Sequence, residues 1–225
     1  SILKEIIKTK DSNICLAADV ETIEELFSLI DKLGPYICML KLHYDIIANF
    51  HDNLEETIDK LNCMKKKYNF LIWEDRKFAD IGYIMERQVK NHIIRWADVI
   101  SVHPIAGKES LEALSKIPIS LIIIGELSSS NSLTNSEYQT NVMKTISNSN
   151  NENIIGIVCQ HKMTHTLLNV VPGISFNQNK TDTKGQQYRG IGDESTLFAD
   201  VYVIGRSLLN SENPVELIKN ITSMI

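Results

Sequence analysis

Eight short apolar runs, rich in β-branched residues, recur along the 225 residues with longer amphipathic stretches between them. They lie at 14–19, 37–43, 70–75, 98–103, 120–127, 154–160, 168–173 and 201–206. Strands this continuously apolar are covered on both faces, the condition of a parallel sheet with helical crossovers. The stretches between them predict helices near 21–33, 53–68, 79–95, 107–116, 134–148, 161–166, 193–198 and 214–223. Asp19 or Thr22, Asn53 and Asn213-Pro214 supply helix starts. Eight such units in this length predict one α/β domain over residues 1–225, a closed (β/α)8 TIM barrel, with an open doubly wound sheet as the alternative.

Polar residues gather at the C-terminal ends of these runs: Asp19, Lys41, His43, Asp75, Lys77, His103, Glu126, Ser128, Gln160 and Arg206. In a closed barrel those ends meet at one mouth, where barrel enzymes build their sites. The densest cluster is WEDRKFADIG at 73–82. Alternate residues of a strand share a face, so Asp75 and Lys77 point the same way as the chain leaves the sheet. Asp80 follows at a helix start, where a carboxylate favours exposed N–H groups. Spacing alone also allows a solvated charge cluster.

Opposite charges hold each other ionised. Lys77 then acts as a fixed electrostatic partner and proton donor, because a Schiff base needs the neutral amine. Such a site suits a reaction that develops carbanion charge and then protonates it. Gly205-Arg206 closes the eighth run just before a helix, the place where barrels of this kind build a phosphate pocket. Gln186 and Tyr188 add neutral donors from the polar stretch 174–192, whose length marks a functional lid or a disordered segment.

The net charge of −5 argues against a nucleic-acid partner. No apolar run approaches the roughly 20 residues of a membrane span, and the amphipathic start SILKEIIKTK has no signal-peptide core. The four cysteines form no C-x-x-C pair, so reduced thiols and a cytoplasmic setting are expected, without disulfides. His161 and His165, spaced i, i+4, read as a solvated pair without a third metal ligand.

The motifs EDRKFADIG, NICLAADV, LGPYICMLKLHYDII, GQQYR and YVIGRSLL together resemble orotidine 5′-phosphate decarboxylase of the eukaryotic type, over nearly the whole chain. The resemblance implies cofactor-free and metal-free decarboxylation of orotidine 5′-phosphate to uridine 5′-phosphate, the last step of de novo pyrimidine nucleotide synthesis. It implies that Lys41, Asp75, Lys77 and Asp80 form the catalytic charge network, with Lys77 protonating C6. It implies a homodimer in which Asp80 and Ile81 reach into the partner's site. Asp19 then binds ribose hydroxyls beside His43, Ser128 reads the pyrimidine amide edge, and Pro172 opens the loop over the base. Gln186, Tyr188, Gly205 and Arg206 hold the phosphate.

Three motifs depart from the family pattern: Leu42 and Ile84 stand where Thr is usual, and Ser101-Val102-His103 where Asn-Ala-His is usual. A lost neutral hydrogen bond costs about 0.5–1.5 kcal/mol, which predicts weaker substrate binding with the chemistry retained. Two other readings remain: a metal-dependent lyase on sugar phosphates sharing the Asp-x-Lys-x-x-Asp core, and a barrel that binds nucleotide without turnover.

Overall fold

The computed structural model describes residues 1–176 and 184–225; part of the expected lid, 177–183, lies outside the described residues. Eight parallel strands pair in a ring: β1 Ile14–Ala17, β2 Met39–Leu42, β3 Leu71–Phe78, β4 Val99–Val102, β5 Ser120–Ile124, β6 Ile154–Val158, β7 Leu168–Ser175 and β8 Val201–Ile204. Each pairs with the next, and β8 pairs with β1, so the sheet has no open edge and the barrel expectation holds over the doubly wound one. A two-residue strand, Arg189–Gly190, adds to the upper end of β7.

The two-residue period sorts each strand's side chains. Cys15, Ala17, Met39, Trp73, Val99, Ile122, Val170, Val201 and Val203 fill the barrel interior. Ile14, Leu16, Leu40, Leu42, Ile72, Ile100 and Val102 pack outward against the helices. One step above Met39, Trp73 and Val99, the same inward face carries Lys41, Asp75 and Ser101. The bottom of the barrel is covered by α1 (Ile2–Lys10), which buries Leu3 and Ile6 in the interior cluster. Its amphipathic sequence was visible, but a helix there was not among the expected elements.

Around the ring run α2 Ile23–Leu33, α3 Leu54–Tyr68, α4 Gly82–Asn91, α5 Lys108–Ala113, α6 Ser136–Asn148, α7 Arg206–Leu209 and α8 Pro214–Thr222. Thr22 starts α2 with a reciprocal capping box to Glu25, and Asn213 accepts from Glu216 N at α8 behind Pro214.

Two expected helices fail. Residues 161–166 are irregular, because Asn169 Oδ1 accepts from Met163 N and Thr164 N while Thr164 Oγ1 accepts from Thr166 N and Leu167 N. Side-chain acceptors have taken the amides a helix would use. Over 193–198 only a single 3₁₀ turn, Glu194–Thr196, forms, with Asp193 Oδ2 bound to Gly190 N.

β3 runs to Phe78, three residues beyond the expected strand. Its pairing with β4 jumps from Glu74↔Ile100 to Phe78↔Val102, so residues 75–77 face Ser101 alone. The strand therefore bulges where its charged residues begin.

Candidate active site

Asp75 is 5% exposed on the inward face of β3 and acts as the hub of a charge cluster. Its Oδ2 lies 2.8 Å from Lys77 Nζ and 3.3 Å from Lys41 Nζ. Lys41 Nζ also lies 3.8 Å from Asp19 Oδ1. Burial opposes the charge on Asp75, but Lys41 and Lys77 outweigh it and hold its carboxyl below the ordinary range. Burial likewise opposes the charge on Lys41, and Asp75 with Asp19 outweighs it, so that ammonium is held more firmly than usual. The expected mutual ionisation is thus physical at Lys41 and Asp75.

His43 behaves differently. Desolvation and the neighbouring Lys41 lower its pKa to about 4, so the ring is neutral at pH 7. Lys41 Nζ lies 3.0 Å from its Nε2 and donates to it. An Nε2 that accepts from Lys41 carries no proton for Asp75, so its 3.5 Å approach to Oδ2 is a close contact and no ion pair.

Lys77 sits at φ +53°, a left-handed conformation that costs a non-glycine residue about 1–2 kcal/mol. The bulge demands it. Without the two additional residues, position 77 would continue up the strand; with them, the backbone turns and the ammonium returns to Asp75. Strained residues held in place by their surroundings cluster at functional sites.

Above this cluster lies a cavity of about 240 Å³. Its lining includes Asp19, Lys41, His43, Asp75, Lys77, Ser128, Pro172, Gln186, Tyr188, Gly205 and Arg206, with Trp73 at the barrel side. Of the polar strand-end residues, His103, Glu126 and Gln160 fall outside that lining, and of the residues to which the resemblance gives a role, Asp80 and Ile81 stand apart from it. Both are exposed past the end of β3, Ile81 by 60%, with Asp80 Oδ1 accepting from Ile81 N.

Two loops are tied across the mouth. Ser128 Oγ donates to Gln186 Oε1 at 3.0 Å, Gln187 N to Ser128 O at 3.3 Å, and Ser130 N to Gly185 O at 2.9 Å. Gly173, at φ +73°, makes this approach possible: a Cβ there would lie 2.5 Å from Gln187 O. The Arg206 guanidinium lies 5.8 Å from the centre of the Tyr188 ring.

The departures from the family pattern sort by face. Leu42 is fully buried in the outer core, away from the cavity, so the weaker substrate binding expected from its missing hydroxyl has no basis at that position. Ser101, by contrast, is fully buried on the inner face and touches Asp75. It was noted in the sequence only as a departure; the signal was a lone polar residue at an inward position of an apolar strand. Trp73 fills the interior and also lines the cavity.

Among the described residues, His43, Asp45 and Glu74 bring donor atoms within 4.8 Å of one another. They make a poor metal centre. Burial pushes the Glu74 carboxyl up to about 9, leaving it protonated, and Asp45 faces Arg76 at 3.5 Å. His161 stands outside any helix and bonds Glu126 Oε2 at 2.9 Å, so it forms no helical pair with His165.

A closed (β/α)8 barrel carrying an ammonium–carboxylate–ammonium cluster beneath a polar cavity defines a class of barrel that stabilises anionic reaction centres. A family model described as Orotidine 5′-phosphate decarboxylase / HUMPS family matches residues 12–221. The orotidine 5′-phosphate decarboxylase of Maudiozyma exigua is 37% identical over 223 residues, 92% of this chain and 82% of its own. That of Candida tropicalis is 37% identical over 230 residues, 96% of this chain and 84% of its own. The crystal structure of orotidine 5′-phosphate decarboxylase from Pyrococcus horikoshii OT3 has a similar fold, with TM-score 0.70 at 22% identity over 94% of this chain and 98% of that one. The chain belongs to the orotidine 5′-phosphate decarboxylase / HUMPS family.

Proposed function

We propose that this chain decarboxylates orotidine 5′-phosphate to uridine 5′-phosphate without a cofactor. Loss of carbon dioxide leaves the bonding electron pair on C6 of the pyrimidine. The Lys77 ammonium, held 2.8 Å from Asp75, stabilises that charge as it forms and delivers the proton to C6; solvent then restores the amine's proton. Asp75 beside the departing carboxylate destabilises the bound ground state, while Lys41 keeps Asp75 ionised. His43, neutral, packs at the edge of this network and contributes no charge to it.

The remaining roles follow the cavity. Asp19 binds ribose hydroxyls, Ser128 reads the amide edge of the base, and Pro172 covers the ring. Gln186, Tyr188, Gly205 and Arg206 hold the phosphate, whose binding energy positions the ring from a distance. Asp80 and Ile81, exposed and apart from their own chain's cavity, reach the site of a second copy, which makes the working unit a homodimer.

The observation that carries this reading is Lys77, turned back onto Asp75 by a left-handed residue in a bulged strand. The test is the ultraviolet change of orotidine 5′-phosphate with excess chelator present. Turnover is expected to be unaffected by chelator, and Lys77→Ala is expected to lower kcat by at least about 10⁴-fold while the circular dichroism spectrum is unchanged, since both charge stabilisation and proton delivery are lost. Chelator-sensitive turnover points instead to the metal-dependent lyase, and Lys77→Ala at wild-type rate removes Lys77 from its role.

A further inference from the structure

We infer that Ser101 is the positioning residue for both charged groups of β3: its single hydroxyl sets the rotation of the Asp75 carboxylate and holds the Lys77 backbone in its left-handed turn. This deepens the decarboxylase reading and rests on it.

The bulge creates the need. Between the pairs Glu74↔Ile100 and Phe78↔Val102, three residues of β3 stand against one of β4. Lys77 N therefore meets no carbonyl of β4 and must find another acceptor, because an orphaned amide at a buried strand costs a hydrogen bond. It donates to Ser101 Oγ at 3.0 Å.

The same oxygen has one proton to give, and it goes to Asp75 Oδ1 at 2.6 Å. The direction is fixed by chemistry, since an amide N–H cannot accept and an ionised carboxylate cannot donate. The two oxygens of Asp75 are thus assigned different tasks. Oδ1 is anchored to the barrel wall, and Oδ2 faces the cavity with Lys77 at 2.8 Å and Lys41 at 3.3 Å. Without the anchor, the carboxylate can rotate and present either oxygen, and the amide of Lys77 loses its partner in the same event.

Ser101 is fully buried and is absent from the cavity lining, so it acts through Asp75 and Lys77 and not on the substrate. Its side chain is also the shortest that performs both tasks from β4, because the hydroxyl oxygen donates and accepts at one atom.

The experiment compares wild type, Ser101→Ala and Ser101→Thr in steady-state turnover of orotidine 5′-phosphate, with uridine 5′-phosphate affinity and thermal unfolding measured alongside. Ser101→Ala is expected to lower kcat about 10- to 100-fold while KM and product affinity stay within about threefold, the signature of a group that acts in the transition state. Ser101→Thr, which keeps the hydroxyl, is expected to recover most of that loss.

An alanine variant with kcat at the wild-type level overturns the assignment. So does a loss shared by kcat, KM and melting temperature, or one that threonine fails to repair, because each describes a packing role. Wild-type protein without turnover defeats the decarboxylase reading itself, and with it this one; an active wild type beside an undiminished Ser101→Ala defeats this one alone.

Discussion

Glu74 and Asp75 are neighbouring carboxylates that one strand sends to opposite faces, and the faces give them opposite titrations. Asp75 points into the barrel toward two ammonium groups and is held ionised. Glu74 points out among the helix-facing residues, is fully buried, and is protonated by desolvation up to about 9 even though Tyr44 N donates to its Oε2. Its Oε1 has no partner among the described residues. A carboxyl whose folded pKa lies above its unfolded one binds more protons folded than unfolded. Its contribution to stability is therefore greatest below pH 4.5 and is lost as pH rises toward 9. Glu74→Gln keeps the acceptor for Tyr44 N and has no proton to lose. It is expected to raise stability at pH 8 by on the order of 1–4 kcal/mol and to flatten the decline between pH 5 and 9. Urea unfolding of both proteins at pH 5, 7 and 9 measures this; a difference that does not grow with pH removes Glu74 as the cause.

At the scale of elements, what the sequence disclosed was what a period can carry. Apolar runs separated by amphipathic stretches placed eight strands and a shared mouth that takes in Lys41, and two-residue alternation placed Asp75 and Lys77 on one side. What it concealed came from hydrogen bonds no period records. The bulge of β3 is settled by its partner strand, so the turn at Lys77 and the task of Ser101 could not be read from residues 73–82. The stretch 161–166 has a helix-like pattern, but Thr164 and Asn169 capture its amides from within and from the next strand. Pro172-Gly173 closed the seventh apolar run, but β7 continues through them to Ser175 with its pairing to β8 shifting between Val171 and Ile174. The need for glycine there is the approach of Gln187 O, 2.5 Å from where a Cβ would lie. Gly173→Ala must push the 185–187 segment, and Gln186 with it, away from the mouth. KM for orotidine 5′-phosphate is expected to rise about tenfold or more, equivalent to about 1.4 kcal/mol of lost binding, with a smaller change in kcat. Steady-state kinetics separate the two; a fall in kcat at constant KM contradicts the mouth-closing role.

For the whole molecule, the decisive residues are the two that stand outside their own cavity. Past β3 the chain leaves Asp80, Ile81 and Tyr83 in solvent, and past β4 it leaves Ile105, with Ile81, Tyr83 and Ile105 each more than half exposed. Large apolar groups beside a carboxylate at the rim of a site are what an isologous contact between two copies would cover. If Asp80 serves the partner's site, each complete site takes Lys77 from one chain and Asp80 from the other. Lys77→Ala and Asp80→Asn, each inactive as a homodimer, then complement on mixing. In the mixed dimer one site receives both substitutions and the other receives neither. Random reassortment makes half the dimers mixed, each with one of its two sites intact, so about one quarter of wild-type activity is expected to return after unfolding and refolding the equimolar mixture. Sites built within a single chain would leave every site of that mixture defective, and the activity would stay at the level of the two variants measured apart.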